Sequence, residues 1–176
     1  MLKQLDVRKN ITVALKLFNS LIRPILFYGS EVWGPYYSLG MSEDNLVSKC
    51  DTLPAEKMFI KFCKYLLGVR QNATNHAVRG ELGQLGLLTE ILPISVKYWF
   101  SVCNLDRSSL LKQSYLTSLG FQGSKGWANH MSNILKMNGL EEAWTNQGST
   151  YKRRDTKIFK ESIQTTYVLR RGRRLP

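Results

Sequence analysis

The chain has 176 residues, is 43% hydrophobic and carries a formal net charge of +12, with a pI near 9.8. That length and apolar content support a single domain with a core of its own and exclude a chain that is disordered throughout. The charge points to polyanionic partners, nucleic acid or an anionic membrane face.

Cys50, Cys63 and Cys103 are odd in number, widely spaced and without a Cys-x-x-Cys pair, and only His76 and His130 accompany them. This argues against a disulfide framework and against a zinc site, and neither a metal nor a cofactor is expected. The N-terminus MLKQLDVRKN lacks an apolar signal segment, and the apolar run from Ile25 to Tyr28 is far too short to span a bilayer. The expectation is a reducing intracellular compartment, nucleus or cytoplasm, with no membrane partner.

In chain order the elements read as helices. From Ile11 the apolar positions Ile11, Leu15, Phe18, Ile22 and Ile25 fall on one stripe, with Thr12, Lys16, Asn19 and Arg23 opposite. Pro24 is expected to kink or shift this helix, because it has no N–H for the carbonyl four residues back. Ala55, Met58, Phe59, Phe62, Cys63 and Leu66 form a second stripe, with Lys57, Lys61 and Lys64 on another face. Pro54 suits the first turn of that helix, and Gly68 its C-terminal cap.

Thr89 is expected to cap a helix carrying Leu92, Val96, Trp99 and Cys103, and Ser108 one carrying Leu111, Tyr115 and Leu119. Ser124 would start another with Trp127, Met131, Ile134 and Leu135, stopped by Gly139. Asp155 would cap a last helix with Ile158, Phe159, Ile163 and Tyr167. No strand-like alternation competes. The expected fold is therefore mostly α, an irregular multi-helix bundle of about seven helices without a substantial sheet. It divides into a helical segment over 1–40, a helical region over 41–150, and a basic helix and tail over 151–176.

Catalytic signals are sparse. Adjacent acids occur as Glu43-Asp44 and Glu141-Glu142, each just after a plausible helix start, where carboxylates complement the helix dipole. His76 and His130 would meet Cys63 or Cys103 only if the fold brought them together, and GELGQLG (80–86) lacks the lysine of a phosphate-binding loop. No catalytic residue is assigned.

Cationic signals are stronger. Lys57, Lys61 and Lys64 share a helix face and Arg70 follows in the next loop, either as phosphate contacts or as a solvated surface. The C-terminal stretch holds Lys152, Arg153, Arg154, Lys157, Lys160, Arg170, Arg171, Arg173 and Arg174 against Asp155 and Glu161, a net +7 of the +12. Tyr151, Phe159 and Tyr167 are interleaved with it, so it offers phosphate contacts and stacking surfaces, or else serves as an import signal. Trp99, Trp127 and Trp144 read as core, and Trp33 as a lid on the end of the first helix.

Three stretches together carry a resemblance: LKLFNSLIRPILFYGSEVWG (15–34), EKMFIKFCKYLLGVRQNATNHAVRGELG (56–83) and VKYWFSV (96–102). They resemble, in the same order, landmarks in the C-terminal part of reverse transcriptases of non-LTR (LINE-type, jockey-like) retrotransposons. Arg79, Gln84 and Gly86 depart from that family's usual residues. The resemblance implies the end of a polymerase thumb followed by the post-thumb helical region, which would hold template and primer, as RNA, DNA or a hybrid, through phosphate contacts.

The family's catalytic aspartates lie in the palm, which would precede Met1, and no aromatic-x-Asp-Asp sequence occurs here. The resemblance therefore implies a fragment of an RNA-directed DNA polymerase without catalysis of its own. In such a fragment Gly29 would permit close helix approach and Glu31 would meet a cation or a backbone donor. The face of Ile11 to Ile25 would be left open to self-association. The alternatives are a helical protein-interaction module with a basic targeting tail, and a functionless remnant.

Overall fold

A computed structural model describes residues 10–38, 40–42, 45–120, 126–149 and 153–172, apart from the side chains of Arg153 and 170–172. Among the described residues there are ten helices and no strand, so the chain is mostly α. The helices are α1 (Ile11–Leu26), α2 (Ser30–Trp33, continued by a 3-10 turn Gly34–Ser38), α3 (Leu46–Thr52), α4 (Pro54–Leu67) and α5 (Asn75–Glu81). They continue as α6 (Leu88–Cys103), α7 (Leu110–Gly120), α8 (Trp127–Met137), α9 (Glu141–Thr145) and α10 (Arg153–Gly172).

Helix α6 organises the others. Its buried residues Leu88, Ile91, Leu92, Val96, Trp99 and Val102 cover most of its circumference, the pattern of a helix enclosed on several sides. It packs against α2, α3, α7, α8 and α10. Pro93 lies inside it and removes the hydrogen bond to the Thr89 carbonyl. Thr89 does not cap α6 as expected: that position is Leu87, and the Thr89 hydroxyl donates to the Gly86 carbonyl within the first turn. At the other end Lys112 Nζ donates to the Cys103 carbonyl at 2.7 Å, closing the helix from α7. One cluster of buried side chains joins Phe18 of α1, Cys63 of α4, Ile134 of α8 and Phe159, Ile163 and Tyr167 of α10. All three sequence segments contribute to it.

Pro24 shifts α1 rather than simply kinking it. Residues Phe18–Ile22 form a π turn, in which the Arg23 N–H reaches the Phe18 carbonyl, and Pro24 then occupies the start of the last α turn. The extra residue makes room for a ring that would otherwise collide with the Ser20 carbonyl. It also rotates everything after it about the axis, so the expected stripe breaks. Ala14 and Phe18 are buried, while Ile22 and Ile25 turn outward.

Glycine roles differ from the sequence reading in an instructive way. Gly29 is a left-handed turn residue with φ of +67°, and the close approach belongs to Gly34. A Cβ at Gly34 would stand 2.5 Å from Ile91 Cγ2 and 3.0 Å from Ser95 Oγ. The same contact is held by Ser95 Oγ, which donates to the Ser30 carbonyl at 3.1 Å. Trp33 does act as a lid, its indole N–H donating to the Tyr28 carbonyl at 2.9 Å just beyond the end of α1. Trp99 is fully buried and donates to Tyr115 Oη at 3.0 Å, and Trp144 stacks on it with ring centroids 5.9 Å apart.

The Gly34 contact generates a stability prediction. Gly34→Ala should destabilise the chain by about 1–3 kcal/mol, the usual effect of forcing a methyl into a filled core. Chemical denaturation followed by circular dichroism measures it, and a change within about 0.5 kcal/mol would mean that α2 and α6 separate freely.

Candidate nucleic-acid interface

Beneath the first lysine face lies a buried ionic cluster. Arg79 of α5 has no exposed surface; its Nε donates to Glu56 Oε1 at 2.9 Å, and its Nη2 meets Glu56 Oε1 at 2.8 Å and also Asp51 Oδ1. Glu56 of α4 is equally enclosed and accepts the Leu87 backbone N–H at Oε2. Burial pushes the Glu56 carboxyl above its ordinary range, opposed by the Arg79 charge and the Leu87 N–H. Burial also disfavours the Arg79 charge, but the carboxylates of Glu56 and Asp51 hold the guanidinium protonated. Burial raises the neighbouring Cys63 thiol to about 12, and the three cysteines are free.

The helix α4 runs from Pro54 to Leu67 and ends on Gly68 with φ of +66°, as its sequence predicts. Its inward face, however, includes Glu56, Ile60 and Lys64, while Met58 is turned out. Lys64 is therefore a correction to the expected phosphate row. It is buried, and its Nζ donates to the Gln71 carbonyl at 2.8 Å, fixing the loop between α4 and α5. Lys57, Lys61 and Arg70 are exposed. Lys57 and Lys61 border a cleft of about 340 Å³ that Asp51 and Glu56 also line, so the cations there face carboxylates.

A second cationic site arises where α6 and α10 lie side by side. Tyr167 packs near Gly86, ahead of α6, whereas Thr156, Lys157 and Lys160 lie opposite Pro93, Lys97, Phe100 and Ser101. The two helices are thus antiparallel, and these seven residues line a groove of about 450 Å³. Phe159, Ile163 and Tyr167 recur every four residues, are buried, and anchor α10. Lys157 and Lys160 flank that stripe and stay exposed. Lys157 also pairs with Glu161 at 3.8 Å, but both are well exposed, so water screens the pair and leaves the cation available. Lys97 is the residue the sequence reading missed, because nothing local to α6 reveals that α10 will lie beside it.

Of the other expected contacts, Arg154 is exposed at the start of α10. Arg153, Arg170 and Arg171 belong to α10, but their side chains lie outside the described residues, as do Lys152, Arg173 and Arg174 altogether. Glu141 and Glu142 occupy the first turn of α9, where the helix dipole favours them; Glu43 and Asp44 lie outside the described residues. Among the described residues no group of three or more His, Cys, Asp or Glu is placed to hold a metal ion, and no single helix is long and apolar enough to cross a membrane. Glu31 is half-buried in the first turn of α2, and among the described residues it forms no ion pair; its backbone carbonyl accepts the Trp127 indole N–H at 3.3 Å. Comparison with protein-family models, with curated proteins and with solved structures found no match to this chain.

Breaking the buried cluster should be costly in one direction only. Arg79→Met leaves Glu56 buried and uncompensated, and should lower stability by about 3–5 kcal/mol. Adding Glu56→Leu to that variant should recover a substantial part of the loss, as removal of both partners does elsewhere. Urea titrations of the two variants measure this, and a double variant less stable than Arg79→Met would contradict it.

Proposed function

We propose that the chain is a nucleic-acid-holding helical module without chemistry of its own, corresponding to the thumb and post-thumb region of a non-LTR retrotransposon reverse transcriptase. In this reading it works inside the cell, in the nucleus or cytoplasm, gripping RNA, DNA or a hybrid by the phosphate backbone. The single observation that carries the nucleic-acid part is the α6–α10 groove, which Lys97, Lys157 and Lys160 line together with no carboxylate among the described lining residues. Lys57, Lys61 and Arg70 add an outer set of phosphate contacts on and just beyond α4. The reverse-transcriptase part is supported by the sequence resemblance and is compatible with an all-helical chain.

Phosphate contacts release counterions, so affinity must fall with salt. With an RNA/DNA hybrid and with duplex DNA, log K should decline linearly with log salt. The Lys157→Gln, Lys160→Gln pair should reduce the duplex slope by about 2, roughly 0.9 for each lost contact. Fluorescence anisotropy over a salt series measures this; an affinity insensitive to salt would sink the reading.

One observation favours a second reading, a helical protein-interaction module with a basic targeting segment. Val13, Leu17, Leu21, Ile25, Tyr28 and Val32 follow one another at spacings of three or four and are all exposed, Ile25 at 71% and Tyr28 at 87%. The occupant proposed for this row is a second copy of the chain. Arg23, one of the few charges in this stretch, is turned away to pair with Glu90 and lie over the Phe27 ring, so two rows can meet without bringing its charges together. Sedimentation at micromolar concentration should reveal a dimer that Ile25→Ser with Tyr28→Ser dissociates; a wild-type monomer would remove the reading.

A further inference from the structure

The exposed apolar row that runs from α1 into α2 is symmetric about its own middle. Leu17, Leu21 and Ile25 lie before the turn at spacings of four, and Tyr28, Val32 and Tyr36 repeat those spacings after it; all six are exposed. Ile25 with Tyr28, Leu21 with Val32, and Leu17 with Tyr36 share one midpoint, between Leu26 and Phe27. The chain bends just beyond that midpoint, the segments Ile11–Leu26 and Ser30–Ser38 differing in direction by 66°. A bent ribbon with matching arms can lie beside a copy of itself with the arms exchanged, provided that a two-fold axis passes through the bend.

Charge obeys the same symmetry. Residues 11–38 contain three charged side chains, Lys16, Arg23 and Glu31. Across that axis they fall opposite Tyr37, Ser30 and Ile22, so no charge meets a charge. A two-fold interface must also carry both its projection and the socket for it on one patch, because the two surfaces are identical. Both are present here. Tyr28 is almost fully exposed. Beside it opens a cleft of about 440 Å³ bordered by Ile25, Trp33, Tyr37, Pro54 and Met58, with no charged residue among its described lining. The chain itself sets the walls of this cleft: the Trp33 indole N–H donates to the Tyr28 carbonyl, and the Tyr37 ring meets Trp33 edge-on with centroids 5.8 Å apart.

We infer that two copies of the chain meet about a two-fold axis at the bend between α1 and α2, each seating Tyr28 in the other's cleft. The inference rests on the self-association reading above and fixes how the copies meet.

The test uses the full chain. Sedimentation should show a dimer at micromolar concentration, and Tyr28→Ala should weaken it by about 30-fold, the loss of one buried aromatic anchor. Circular dichroism should be unchanged in that variant, because the side chain it removes is exposed. The axis is tested with Leu21→Cys and Val32→Cys chains, one of them tagged, and a short bis-maleimide. The mixture should cross-link tagged to untagged chain, whereas either variant alone should match the wild-type background, since each position lies far from its own copy. A dimer in which Leu21→Cys links to itself, in which the mixture does not link, or which Tyr28→Ala leaves equally tight would overturn the inference while leaving self-association intact. A chain that stays monomeric would overturn both, and one that instead pellets with phosphatidylserine vesicles would do so by assigning the row to lipid.

Discussion

A buried guanidinium constrains this fold more than any other group. Arg79 has no exposed surface, and the carboxylates that hold it come from Asp51 in α3 and Glu56 in α4. Glu56 in turn accepts the Leu87 N–H at the start of α6. One charge cluster therefore registers α3, α4, α5 and the beginning of the central helix against one another. Such clusters contribute little net stability, because desolvating three charges offsets most of their attraction. Their effect is to penalise every arrangement in which one partner is missing. Gly86 belongs to the same constraint: a Cβ there would stand 2.7 Å from Cys50 Sγ and 3.0 Å from Tyr167 Cε2, so α3 and α10 close in on the chain where it enters α6.

The cluster also sorts the basic surface. On the α4 side the lysines stand over Asp51 and Glu56, which subtract from the potential that an approaching phosphate would feel. Lys64 has left that surface to hold Gln71. In the α6–α10 groove no carboxylate is among the described lining residues, although the exposed Glu161 pairs with Lys157 from beside it, and an aromatic ring takes part of the wall. Positive charges thus carry different weight at the two places, and part of the difference comes from what lies underneath rather than from the lysines themselves.

The parts of the fold legible in sequence were those whose signals are local. Pro54 and Gly68 bracket α4 because a proline suits a first turn and a glycine reaches the left-handed cap. Phe159, Ile163 and Tyr167 announce the buried side of α10 by spacing alone. Most of what escaped had a tertiary cause. Helix α5 also escaped, for a local reason: at seven residues it is too short to display a periodic face. Lys64 looks like a surface lysine until the loop carrying Gln71 folds back over it. Arg79 looks like an ordinary surface cation until Glu56 and Asp51 are seen around it. Of the interface, Lys57, Lys61, Lys157 and Lys160 were legible as exposed cations, but the groove was not, because Lys97 joins it from another helix.

The C-terminal segment illustrates how core and surface depend on one another. By composition it is a charged tail, yet α10 docks through three buried side chains and packs along the central helix. Docking is what places Lys157 and Lys160 opposite Lys97 and Phe100. If α10 were detached, its lysines would remain cations on a free helix, without the wall that α6 supplies opposite them. The contact of Tyr167 with Gly86, close to the Arg79 cluster at the far end of α10, therefore bears on the geometry of a groove near its beginning. The shape of the groove and order in the core rest on the same helix–helix contact.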